Sequence, residues 1–175
     1  MQRPKELYWF VTGALAVLVA AGGIAAQNKT SIKQGAAVES KLFRIFNPET
    51  LAKPTAGYSQ VAEVGDGKVV YIAGQVAMDR SGNLVGKDDF RAQVQQVFEN
   101  LDAAVKAAGG DFHSVIKLNY YCAESVDPSE IPAVREVRDQ YVNTANPPTS
   151  TFVVVKRLVR PEYLIEVDAV AVVKK

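Results

Sequence analysis

The stretch Leu164-Ile-Glu-Val-Asp-Ala-Val-Ala-Val-Val173 alternates between two kinds of residue. Ile165, Val167, Ala169, Ala171 and Val173 fall on one face of an extended chain. Leu164, Glu166, Asp168, Val170 and Val172 fall on the other. The first face is a core face. The second is part apolar and part acidic, so it suits neither a plain core nor plain solvent. A half-apolar sheet face of this kind points to self-association.

Upstream, Thr151-Phe-Val-Val-Val155 reads as the preceding strand, joined across Arg160-Pro161-Glu162. Asn146-Pro147-Pro148 stops a helix. That helix starts at Asp127-Pro128-Ser129-Glu130, with a cap residue, a Pro in the first turn and a Glu three residues after the cap. It runs through Ile131, Val134, Val137 and Tyr141. Ser114 to Cys122 is Tyr-rich and β-branched, a strand. Phe90, Val94, Val97, Phe98, Leu101, Val105 and Ala108 keep helical spacing over five turns, with Asp88 or Asp89 as cap and Gly109-Gly110 as terminator. Ser59 to Val64 and Lys68 to Ala73 flank Gly65-Asp66-Gly67, which predicts a hairpin. The expected order is ββαβαββ, an α+β domain with two helices on one face of a sheet.

The 175 residues carry a net charge of +1, one Cys and one His. Near-neutrality gives no basic face for nucleic acid. A single Cys excludes an internal disulfide framework and a Cys-rich metal site. A single His removes the His-rich zinc motifs and argues against a Ser-His-Asp triad. No Cys-rich or His-rich metal site is expected. His113 reads as a loop residue after the first helix, and Cys122 as a small buried hydrophobe.

The N-terminus has its own character. From Leu7 to Asn28 no side chain ionises except Tyr8, behind a short start containing Arg3 and Lys5. Residues 1–26 read as a cleaved export signal or as an uncleaved anchor spanning 7–26. Small residues crowd the end of the run, which favours the signal. Both readings carry the remaining chain out of the cytosol, to the periplasm or beyond, or hold it on a membrane facing outward. Removing Arg3, Lys5 and Glu6 leaves the rest with equal numbers of bases and acids. Residues 27–42 are polar and of mixed charge, a tether; the domain proper is 43–175.

Asn47-Pro-Glu, Gly57-Tyr58-Ser-Gln, Tyr71-Ile-Ala-Gly-Gln-Val76, the helix ending Ala-Ala-Gly-Gly110, Pro148-Thr-Ser-Thr and Ile165-Glu-Val-Asp-Ala-Val-Ala171 together resemble the RidA/YjgF family, collinearly from about residue 43 to 173. The resemblance implies a chorismate mutase-like fold and a homotrimer around a central barrel of sheets, with ligand clefts between subunits. Active members hydrolyse enamines and imines to keto acids and ammonia without metal or cofactor. That chemistry needs a carboxylate clamp, a placed water and a group to steer it.

The resemblance assigns the clamp to an Arg two residues after the Pro that opens the penultimate strand. Ser150 stands there. A guanidinium gives paired, charge-assisted donors and a hydroxyl gives one neutral bond. Losing such a pair costs about 2–5 kcal/mol, or roughly 30-fold to several-thousand-fold in affinity. The chain therefore resembles the arginine-lacking branches of the family. The resemblance further implies Glu166 as the water-orienting acid, and Tyr58, Gly74, Phe152 and Arg135 as cleft residues. Phe152 replaces a small residue, and Arg135 falls roughly where the family has Asn. Arg135 or Arg138 is a candidate substitute clamp, against a plain surface charge near Glu136 and Asp139. Three functions fit: a small-metabolite binder without standard imine hydrolysis, an enamine/imine (2-iminoalkanoate) deaminase, and a protein-interaction or chaperone-like trimer.

Overall fold

The structure, a computed structural model, describes residues 41–175. The expected signal or anchor, and the tether up to residue 40, lie outside the described residues. The elements are β1 (Phe43–Phe46), β2 (Val61–Val64), β3 (Lys68–Gln75), α1 (Phe90–Ala107), β4 (Val115–Ala123), α2 (Pro132–Arg138), β5 (Thr149–Val155) and β6 (Ile165–Val173), with 3-10 turns before β4 and before α2. β3, β6, β4 and β5 form one sheet in that order. The β4–β5 pair is parallel and the others are antiparallel. Two helices pack on this mixed sheet, the α+β architecture expected.

The expected β2–β3 hairpin is not formed. β2 pairs antiparallel with β1, from Phe43↔Val64 to Phe46↔Val61. β3 pairs with β6, from Lys68↔Val173 onward. The Gly65 and Asp66 N–H groups donate to the carbonyls of Leu42 and Lys41 at 2.8 and 2.9 Å. Those bonds commit the Asp-Gly turn to the β1 side, so it passes the chain from a two-stranded ribbon into the main sheet. A turn motif encodes a local reversal, whereas the partner strand is chosen by what else packs. The order gains one strand and becomes βββαβαββ.

α1 starts at Asp89, whose carboxylate accepts from the Ala92 N–H at 2.9 Å. It ends where Gly109 takes φ +88° and the Gly110 N–H returns to the Val105 carbonyl at 3.1 Å. Its apolar stripe Phe90, Val94, Val97, Phe98, Leu101 and Val105 is buried, as are Ile165, Val167, Ala169 and Ala171 of β6 in the same core. Each Phe, Val, Leu or Ile among them contributes about 1.5–3 kcal/mol on leaving water. α2 is shorter than expected. Asp127 caps the 3-10 turn Pro128–Glu130 rather than α2. Beyond Arg138, Gln140 and Tyr141 bond back only three residues, to Val137 and Arg138, which tightens the chain out of the α-helix. Tyr141 still packs its ring 5.4 Å from Phe98 and 5.1 Å from Phe112.

The other sheet face is open. β6 alternates there as the sequence predicts, with Glu166, Asp168 and Val170 half-buried. Asn119 and Tyr121 both donate to the Asp168 carboxylate, at 2.8 and 3.0 Å. Lys117 donates to Thr151 at 2.7 Å. Around this polar belt Val69 and Val153 are exposed, and Tyr71 is 82% exposed. Among the described residues no helix is long and apolar enough to cross a membrane.

Candidate functional site

Tyr58 reaches the edge of β5 through its neighbour. Ser59 bridges Thr149 in parallel fashion, and its N–H donates to the Pro148 carbonyl at 3.3 Å. The Gly57-Tyr58 loop therefore runs beside Pro148 to Ser150. The register pairs Leu118 with Ser150 and Tyr120 with Phe152. Leu118 and Tyr120 are buried among the core, so Ser150 and Phe152 share the helix side of the sheet. The Phe152 ring stacks on Tyr120 at 5.7 Å.

α2 brings two guanidinium groups to the same place. A Cβ built on Gly57, which has φ +67°, would stand 2.8 Å from Arg138 Nη2 and 3.1 Å from Arg135 Nη2. Only glycine leaves that seat open. Arg138 is 7% exposed and donates to Asp139 Oδ1 from Nε at 2.9 Å and from Nη2 at 2.5 Å. Arg135 is more exposed and stands 3.6 Å from the same carboxylate. The Tyr120 hydroxyl is buried beside the Arg138 guanidinium. Burial pushes its pKa up, and the neighbouring Arg138 guanidinium partly opposes that.

Glu166 and Gly74 lie elsewhere. Glu166 pairs with Tyr121 on the open face. It reaches across the β3–β6 register slip between Ile72 and Gln75 to the Gly74 backbone. Among the described residues no hydrogen bond or ion pair engages its carboxylate. The nearby Tyr121 hydroxyl is held protonated to higher pH, first by its hydrogen bond to Asp168, then by that residue's charge, then by burial and Glu166.

The structure thus gathers Tyr58, Ser150, Phe152 and Arg135 at one edge, and Gly74 with Glu166 on the opposite sheet face. Within one chain the two groups do not meet. A groove of about 460 Å³ on the open face, lined by Gln60, Val61, Tyr71, Lys117, Thr149 and Val170 among others, contains none of them. Sequence reasoning missed Tyr120 as a polar group in the core. Its alternation with Leu118 and Cys122 was the available signal. Cys122 is buried and its thiol is pushed up to about 11. His113 sits in the 3-10 turn before β4. Among the described residues no cluster of His, Cys, Asp and Glu has the arrangement to hold a metal ion.

Comparison with known proteins extends these observations. Residues 49–173 match the family described as endoribonuclease L-PSP. A RutC family protein of Pyrococcus horikoshii is 33% identical over 123 residues, covering 70% of this chain and 92% of that protein. A 2-iminobutanoate/2-iminopropanoate deaminase of Dermatophagoides farinae is 31% identical over 108 residues, 62% of this chain and 80% of its own. The crystal structure of YyfB, a conserved Rid family protein of Yersinia pestis, superposes with a TM-score of 0.67 at 34% identity, over 75% of this chain and 99% of that one. With a family match over most of its length and a relative of this identity and coverage, the chain belongs to the endoribonuclease L-PSP family, the group that includes the RidA/YjgF and RutC proteins.

Proposed function

We propose that this protein is an exported, homotrimeric member of the RidA/YjgF family that binds a small carboxylate-bearing metabolite in clefts between subunits and lacks standard 2-imino acid hydrolysis. The observation that carries the reading is the division of the candidate residues. Gly74 and Glu166 stand on one sheet face, and Tyr58, Ser150 and Phe152 stand at the β5 edge. A cleft holding both sets needs a second copy. β3 and β5 are the outer strands of the sheet, and both carry exposed apolar side chains that a neighbouring subunit would cover. The export component rests on the apolar run of residues 7–26 alone, as signal or as anchor.

The weak-hydrolase component rests on Ser150. One neutral hydroxyl replaces the charged clamp that the family resemblance calls for at that position. Ribonuclease action is not part of this reading, because a net charge of +1 supplies no basic track for a phosphate backbone.

One observation favours the deaminase reading. The Glu166 carboxylate is free of partners among the described residues and packs against backbone, a suitable setting for steering a water. Light scattering and the decay of 2-iminopropanoate test both. The expected results are a trimer at micromolar concentration, decay no faster than in buffer, and acceleration on Ser150→Arg. A monomer would overturn the cleft. Acceleration by the unaltered chain that disappears in Glu166→Ala would replace the first reading by the deaminase.

A further inference from the structure

We propose that Arg135 and Arg138, converging on the Gly57 backbone beside the buried Tyr120 hydroxyl, form an anion clamp that takes the carboxylate of a small ligand in place of the missing strand arginine. The inference rests on the ligand-binding reading above and names the group that fixes the ligand.

The charge balance is uneven. Two guanidinium groups share a single carboxylate, Asp139. Arg138 binds it through two nitrogens. Arg135 approaches only to 3.6 Å, beyond hydrogen-bond distance, so its donors are not spent on Asp139. One positive charge is left over at a place where Arg138 is almost wholly removed from water. A buried guanidinium is costly unless its donors and charge are matched, and a second anion would complete the match.

The donors form a set. Nη2 of each arginine approaches the same backbone point, Gly57. Tyr120 adds a buried hydroxyl beside Arg138, close enough to feel its charge and to share a donor with it. A carboxylate accepts about four hydrogen bonds, and planar guanidinium forks suit it. The Phe152 ring, stacked on Tyr120, supplies an apolar wall for the rest of a small ligand. Ser150 and Tyr58 reach this edge along the backbone. The clamp is the same chemical device as a strand arginine, moved to the helix that covers that edge.

Titration calorimetry of the full chain with 2-oxobutanoate, and with its methyl ester, tests the clamp. The acid is expected to bind and the ester not. Arg135→Gln, at a partly exposed position, is expected to weaken binding about 10- to 100-fold with the fold intact. Tyr120→Phe removes the buried hydroxyl beside Arg138 and is expected to weaken binding severalfold. Arg44→Gln, which removes an exposed guanidinium on β1, is expected to bind as the parent does. Equal binding of acid and ester, no binding of the acid, or parental affinity in Arg135→Gln would each overturn the clamp. The clamp residues all belong to one chain. A monomer with intact, Arg135-dependent binding would therefore sink the intersubunit cleft and leave the clamp. A trimer binding independently of Arg135 would do the reverse.

Discussion

The Glu166 carboxylate lies directly against the backbone of Gly74, so that a Cβ on Gly74 would collide with Glu166 Oε1 and stand 2.8 Å from its Cδ. No side chain other than hydrogen fits residue 74 while Glu166 keeps this position. The contact crosses the register slip in the β3–β6 ladder, so the glycine and the acid are one structural unit.

Gly74→Ala is expected to displace Glu166 and cost about 1–3 kcal/mol, the usual range for overpacking. Because the obstacle is a side chain, Gly74→Ala/Glu166→Ala should recover most of the loss. A double-mutant cycle in urea, at fixed protein concentration, reads this coupling. Additive losses would mean that the Gly74 backbone, rather than the contact, sets the cost.

Gln93 shows how a polar residue enters the core. It is fully buried on α1. Its Nε2 donates to the Gly86 and Glu162 carbonyls at 3.1 and 2.9 Å, and its Oε1 accepts from the Leu164 N–H at 2.9 Å. One amide thus ties the loop before α1 to the chain entering β6. Gln93→Leu keeps the volume and strands three backbone groups, so a loss of about 2–5 kcal/mol is expected. Urea unfolding with an unchanged m-value would show it. A loss under about 1 kcal/mol would mean that water substitutes for the amide.

The elements that announced themselves in the sequence are those whose signal is local. The α1 stripe, its Asp89 cap and its glycine terminus are set within a few residues, and they stand where the spacing puts them. The two-faced alternation of β6 is equally local. Gln93 was invisible because its three partners come from residues 86, 162 and 164. The β1–β2 ribbon was missed for the same reason, since Asp66 fixes a reversal and its hydrogen bond to Lys41 depends on what precedes it. At the candidate site, Ser150 stood out by its difference from the family pattern. The grouping of Arg138 with Tyr120 and Gly57 needed three segments distant in sequence to be placed together.

Cys122 gives a pH-dependent prediction. Burial raises its thiol from 9.0 to about 11, because a thiolate in the core loses its hydration. The folded chain therefore holds the proton that the unfolded chain releases first. Stability should be undiminished below pH 9 and fall as pH rises from 9 toward 11. A Cys122→Ala variant should show a shallower slope, the remainder coming from Tyr120 and Tyr121, whose hydroxyls are also held protonated to higher pH in the fold. The folded protein should also resist thiol reagents at pH 8 and react fully in denaturant. Rapid labelling of the native protein at pH 8 would contradict the burial.

Tyr71 offers the most direct handle on assembly. It sits on the outer strand β3, 82% exposed, opposite Val170 of β6 and among the residues lining the open-face groove. Nothing in a single chain requires a phenol there. An exposed change of this kind alters the stability of a monomer by about 0.5 kcal/mol or less. In an assembly that buries the open face, a carboxylate at the same point would be stripped of water without a cation, which is far more costly. If the protein is the proposed trimer, Tyr71→Asp is therefore expected to give a folded monomer. Light scattering would give the mass, and near-UV circular dichroism would show the core intact. A Tyr71→Asp protein that remains a trimer would mean that the open face is not the one the subunits share.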